Sequence, residues 1–223
     1  MAHATSETIQ PLAKEELPVL VVLGLGLINI LFGALQLSNL SSNAPSHYLA
    51  QPLPIVSHIV GGIVLNLLGA FQLSRRLRTS FPAWHRWAGR LVILAGIIIG
   101  LSSVYMNASY PDYGTWLKFW GVLVFGVALP ACLIGGVVAI RHGKVDVHRR
   151  YMVFALAIGL GPATQRLIMI PSFLLFGMPP DWLIGTVIWV GFLVNLLVGR
   201  AYLKKAEYSV EKGLKLIMNP KRC

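Results

Sequence analysis

The sequence predicts an all-α polytopic integral membrane protein with six transmembrane helices, and three observations carry that expectation. Of its 223 residues, 56% are hydrophobic and only 12% charged, which is not the balance of a soluble domain. Apolar runs near 18–38, 54–74, 87–107, 116–140, 151–176 and 182–203 each reach the ~20 residues needed to cross about 30 Å of hydrocarbon. The charges are segregated into the connections between those runs.

Lysines and arginines concentrate in cytoplasmic loops. Arg75, Arg76, Arg78, Arg86 and Arg90 follow the second run, and Arg141, Lys144, Arg149 and Arg150 follow the fourth. The sixth is followed by Arg200, Lys204, Lys205, Lys212, Lys215, Lys221 and Arg222. With Lys14, seventeen of the 19 cations share one side, and only Lys118 and Arg166 fall toward the other. Both termini are expected in the cytoplasm. The expected organisation is a leader over 1–16, a membrane domain over 17–203 with core helices over 54–176, and a basic tail over 204–223. The net charge of +11 follows from this topology together with attraction to anionic head groups. The lipid bilayer is the expected partner and nucleic acid is not, because the cations lie on membrane-proximal loops. The leader lacks the small-residue cleavage pattern of a removable signal peptide. Cys132, inside the fourth run, and Cys223 define no disulfide framework.

Taken in order, the first run has Asn29 and Gln36 as its polar points. In the second, His58, Gly61, Leu65, Gly69 and Gln72 recur at helical spacing and form one stripe. Its small residues admit a neighbouring helix or a flat ligand. Pro82 opens the third helix, with Trp84 and Trp87 suited to the membrane interface. His85, Ala88, Gly89, Val92 and Gly96 follow one of its faces. The fourth run carries Pro130, and the sixth offers Asn195 as its polar interior point.

The fifth run organises the chain. It begins at His148-Arg149-Arg150-Tyr151-Met152 and carries Thr164-Gln165-Arg166 deep inside. On a continuous helix, His148 and Arg166 are five turns apart on one face, about 27 Å along the axis. An arginine at bilayer depth is expensive and is expected to face a partner in the protein interior. The expected partners are His58, Gln165, carbonyls freed beside Pro162, an outer aspartate such as Asp181, or a bound anion. Carboxylates are absent from the runs, with Asp112 and Asp181 on outer connections and Asp146 on an inner one. This argues against acidic proton relays, Asp-rich magnesium sites and His-Glu-x-x-His metal helices.

His85 and His148 are placed at the cytoplasmic ends of the third and fifth helices. Two neutral imidazoles from different helices are the usual axial pair of a b-type haem, and Arg86, Arg90 and Arg149 could neutralise its propionates. His85-Arg86-Trp87-Ala88-Gly89-Arg90, His148-Arg149-Arg150-Tyr151-Met152 and Thr164-Gln165-Arg166 together resemble a family of predicted membrane proteins known only as a domain of unknown function, over about 54–203. A weaker resemblance is to the transmembrane diheme b-type cytochromes, whose third and fifth helices donate a histidine pair. That likeness implies haem b held by His85 and His148, with a redox partner or a quinone-like small molecule. It also calls for a second pair, and the fourth helix supplies no outer partner for His58. Three functions follow as expectations. One is a haem-binding oxidoreductase or electron-transfer subunit. Another is a transporter or small-molecule binding protein, with His58, Gln72, Gln165 and Arg166 as ligand-binding residues. The last is a non-catalytic helper subunit.

The cation split makes a direct prediction about topology. In a background with Cys132 and Cys223 replaced by alanine, Asp112→Cys should react with an impermeant thiol reagent on intact cells. Leu77→Cys should react only after permeabilisation. The reverse pattern overturns the orientation.

Overall fold

The computed structural model describes residues 12–40, 45–110, 115–177 and 180–218. Most of the leader, Asp112 and the last tail residues Lys221, Arg222 and Cys223 lie outside them. Among the described residues there are nine helices and no strand. They are α1 (Leu12–Asn39), α2 (Ser46–Ala50), α3 (Pro52–Gln72), α4 (Arg75–Ser80), α5 (Pro82–Ser109), α6 (Trp116–Arg141), α7 (Val145–Gly159), α8 (Gly161–Phe176) and α9 (Asp181–Met218). Six spans are long and apolar enough to cross a membrane: α1, α3, α5, α6, α7 with α8, and α9. Leucines studding the outside, such as Leu20 at 61%, Leu174 at 76% and Leu197 at 65% exposed, would be costly in water and are at home against acyl chains.

Local chemistry explains the boundaries. Pro52 and Pro82 open α3 and α5, where a missing N–H costs nothing. Ser74 caps α4 by accepting from the Leu77 amide at 3.2 Å. Gly143, at φ 71°, ends α6 in a Schellman motif. The Lys144 amide donates to Ala139 O at 3.0 Å and the Gly143 amide to Ile140 O at 3.1 Å. That tight reversal lets α7 pack directly on α6.

The fifth span departs from expectation. It breaks at Leu160, because Pro162 has no N–H and the Ala163 amide turns to Leu160 O at 3.0 Å. α7 packs on α6, α9 and α3, whereas α8 packs on α9 and α1. The single face that was expected to carry both His148 and Arg166 is therefore not present. His148 turns to α6 and Arg166 to α1.

The bundle is packed differently at its two ends. Toward the basic connections, the fully buried Leu65 and Leu133 key into glycine notches on facing helices. A Cβ at Gly96 would collide with Leu133 and lie 3.1 Å from Leu65, one at Gly159 would lie 2.5 Å from Leu65, and one at Gly69 2.9 Å from Leu156. The stripe read along α3 is thus the seam against α5 and α7. Nearer the opposite end, α5 and α6 cross at Gly100, where a Cβ would meet Pro130 and lie 2.5 Å from Gly126 O.

The Gly100 crossing should tolerate no side chain, because a proline ring and a backbone carbonyl cannot yield as a flexible side chain does. Gly100→Ala is expected to lower the thermal midpoint in mild detergent, a loss of about 1–3 kcal/mol. Gly24→Ala, which meets nothing within 4 Å, should leave it unchanged or raised. Equal midpoints for the two variants would contradict this packing.

Candidate functional site

The end of the bundle away from the basic connections encloses a cavity of about 370 Å³, within the range of small-molecule sites. Residues from all six spans line it. On α3 the lining runs from Ile55 to Asn66 and on α6 from Lys118 to Leu129, so its depth is about 16 Å of helix rise. It ends where Leu65 and Leu133 seal the bundle.

The wall is built around a charge. Arg166 on α8 donates from Nη1 to Asn29 Oδ1 at 2.6 Å, and its guanidinium lies 5.0 Å from the Phe32 ring centroid. Asn29 is held in turn, with its amide donating to Asn66 Oδ1 at 3.2 Å and to Gly159 O at 3.4 Å. Asn66 donates back to Gly62 O at 2.7 Å. Gly159 O is available because the Ala163 amide has turned away from it at the Leu160 break. The expected partners of Arg166 are therefore corrected. Asn29 and Phe32 of α1 meet its charge, and the hydrogen bond goes to neither His58, Gln165 nor Asp181.

A guanidinium carries five N–H donors, and among the described residues only the Nη1 contact is made. The remaining donors are left to the cavity that Arg166 lines. Lys118, 8% exposed, lines the same space, as do His58 and Gln165. His58 Nδ1 lies 3.1 Å from Ser102 Oγ, while that hydroxyl gives its one proton to Ile98 O at 2.7 Å or Ile99 O at 3.1 Å. The network therefore assigns the proton to Nδ1 and leaves Nε2 as the basic nitrogen. No described residue lining the cavity is acidic. His47, Tyr48 and Tyr110 form an aromatic cluster at the mouth, with centroids 4.3–5.3 Å apart, and Phe125 and Phe192 stack at 4.1 Å deeper in.

The residues read from the sequence fall into two places. His58, Gln165 and Arg166 come together in the cavity, whereas Gln72, grouped with them in the sequence, lies at the other end beside Gly89. There Gln72 Nε2 and His85 Nδ1 are buried without a partner. His148 Nδ1 lies 2.8 Å from Gly136 O. The arginines expected beside this pair disperse. Arg86 and Arg90 are exposed, and Arg149 lies over the Tyr202 ring at 5.7 Å.

Residues 55–203 match the family described as "Predicted membrane protein (DUF2306)". The chain belongs to this family. The matched stretch runs from α3 into α9, so it contains His58, Lys118, Gln165 and Arg166 but not Asn29 or Phe32. The DUF2306 portion of the chain thus supplies the cavity's positive charge, and α1, outside it, supplies the groups that hold Arg166. No curated protein and no solved structure matches the chain.

The sequence alone marks Asn29 as a polar point and sets Lys118 with Arg166 outside the cation pattern, but it does not connect Asn29 to Arg166 and gives no role to Asn66 or Ser102. The available signals were an asparagine in mid-span on α1, two cations outside the topological pattern, and Asn66 two turns beyond His58 on α3.

Proposed function

We propose that this protein is a membrane-embedded binding protein or transporter for a small organic anion, taken up in the cavity from the non-cytoplasmic side. The observation that carries this reading is Arg166, whose one hydrogen bond among the described residues goes to the neutral Asn29 and whose other donors are left to a cavity that His58 also lines. A positive charge inside a low-dielectric bundle is costly, and an anion bound against Arg166 offsets that cost. The cation split supports the side of entry. The stacked Phe125 and Phe192 favour an anion with an apolar body over an inorganic one.

The test uses the full chain in mild detergent, with benzoate as probe and benzamide as its neutral counterpart. Benzoate should bind and benzamide should not. Arg166→Ala should weaken benzoate binding at least tenfold, about 1.4 kcal/mol. Arg166→Lys should fall nearly as far, since lysine keeps the charge but not the planar fork. An Arg166→Lys variant that folds and binds like the native chain removes the fork as the recognition device.

A second reading keeps the histidine pair. His148 Nδ1 is tied to Gly136 O, which leaves Nε2 available, and imidazoles on α5 and α7 suit the axial positions of a haem b. The group would supply one-electron chemistry, handed to a redox partner or quinone-like molecule. The surrounding space favours it less. The notches at Gly69, Gly89 and Gly136 are filled by Leu156, Gln72 and Met152, which would have to withdraw. An absorbance spectrum of the purified protein decides. This reading expects a Soret band, lost in His85→Ala or His148→Ala and kept in His58→Ala, and no band ends it.

A further inference from the structure

We propose that an anion bound in the cavity is accompanied by one proton, taken up on His58, so that the site handles a monoanion and a proton together. This rests on the anion-binding reading above and goes beyond it by naming a second ligand.

His58 is placed for the part by its hydrogen bonds. Ser102 spends its own proton on a backbone carbonyl and can only accept from Nδ1–H. The ring is therefore held in one tautomer, with Nε2 left to receive a proton. A histidine is also the side chain that exchanges protons near neutral pH.

The field around it supplies the coupling. The charged and titratable described groups facing the cavity are Arg166 from α8, Lys118 from α6, His47 and Tyr48 from α2, and Tyr110 beyond the end of α5. α1, α7 and α9 contribute none. Arg166 and His58 line the same cavity, and no described residue of that lining is acidic. In the empty cavity a further positive charge on His58 is therefore opposed. An anion against Arg166 cancels that opposition and adds an attraction of its own. The bound site holds the proton to higher pH than the empty one does. Linkage is reciprocal, so protons must strengthen anion binding by the same factor.

The sign follows. Affinity is greatest at low pH, where the empty cavity is already protonated. It falls as pH rises through the range in which only the bound form keeps the proton, by up to tenfold per pH unit for one linked proton. A carboxylate probe titrates near pH 4, well below this range, so its own ionisation does not mimic the effect.

The experiment titrates the full chain in detergent with benzoate from about pH 5.5 to about pH 8.5, and counts protons with an indicator dye in weak buffer. The native chain should take up as much as one proton per benzoate, with the dissociation constant rising with pH. His58→Gln keeps an amide donor for Ser102 but cannot titrate, so it should bind with no uptake and no pH dependence. His58→Asn repeats the test should His58→Gln not fold. His142→Gln, at the opposite end of α6 and outside the cavity, should leave the coupling intact. Benzoate binding with zero proton uptake overturns this proposal while leaving the anion site standing. Uptake that survives loss of His58 overturns the assignment to that residue. No benzoate binding at all overturns the anion-site reading, and this proposal with it.

Discussion

The structure depends on one awkward charge, the guanidinium of Arg166 at bilayer depth with no described carboxylate beside it. Its accommodation runs through a chain of causes that begins with a proline. Pro162 cannot donate, the Ala163 amide turns to Leu160 O, and Gly159 O is released. Asn29 fills that vacancy with its amide and turns its carbonyl oxygen to Arg166. The helix break and the buried arginine are therefore one arrangement. A straight fifth helix would spend the carbonyl that orients Asn29, and an α1 without Asn29 would leave both the carbonyl and the cation without this partner.

The same break lets the fifth span serve two neighbourhoods. α7 stays in the tight half of the bundle, where Leu65 sits in the notches of Gly96 and Gly159. α8 leans on α9 and α1, tied by Thr164 Oγ1 donating to Asn195 Oδ1 at 2.9 Å and by Gly161 against Phe192. Glycine contacts close the helices at both depths, at Gly96 and Gly159 toward the basic connections and at Gly100 and Gly161 nearer the other end, where Asn29, Asn66, Thr164 and Asn195 add hydrogen bonds between helices. Without a hydrophobic force between helices in lipid, close packing and interhelical hydrogen bonds are what remain to drive association.

The fold was legible because lipid imposes a coarse code. Length and apolarity marked six spans, although α7 begins at Val145, six residues before the expected run, and α9 continues to Met218 through most of the expected tail. The α3 stripe from His58 to Gln72 proved to be a packing seam. What the code could not carry was pairing at a distance. Asn29 and Arg166 are 137 residues apart, and nothing in either local pattern names the other. Helical spacing does not carry the break at Leu160 either: Pro162 frees carbonyls and also removes the single face on which His148 and Arg166 would lie on a continuous helix. The arginines expected beside His85 and His148 do not gather there, because side chains at a membrane surface follow water and neighbours such as Tyr202, and a shared loop does not hold them together.

A purely structural role for Arg166 meets a physical difficulty. Replacing a buried polar or ionic pair by apolar residues of similar volume is often neutral or stabilising, so packing alone gives no reason for a charge there. The protein also stops short of saturating it. One nitrogen meets Asn29 and one face meets Phe32, while the other donors are left beside a cavity wide enough for a small molecule. A side chain kept only for helix association would be expected to spend its donors on neighbouring helices, as Asn29 and Thr164 do. Anchoring one edge and leaving the rest open fits the anion site proposed above, and the packing of Leu65 and Leu133 beneath it confines that site to one end of the bundle.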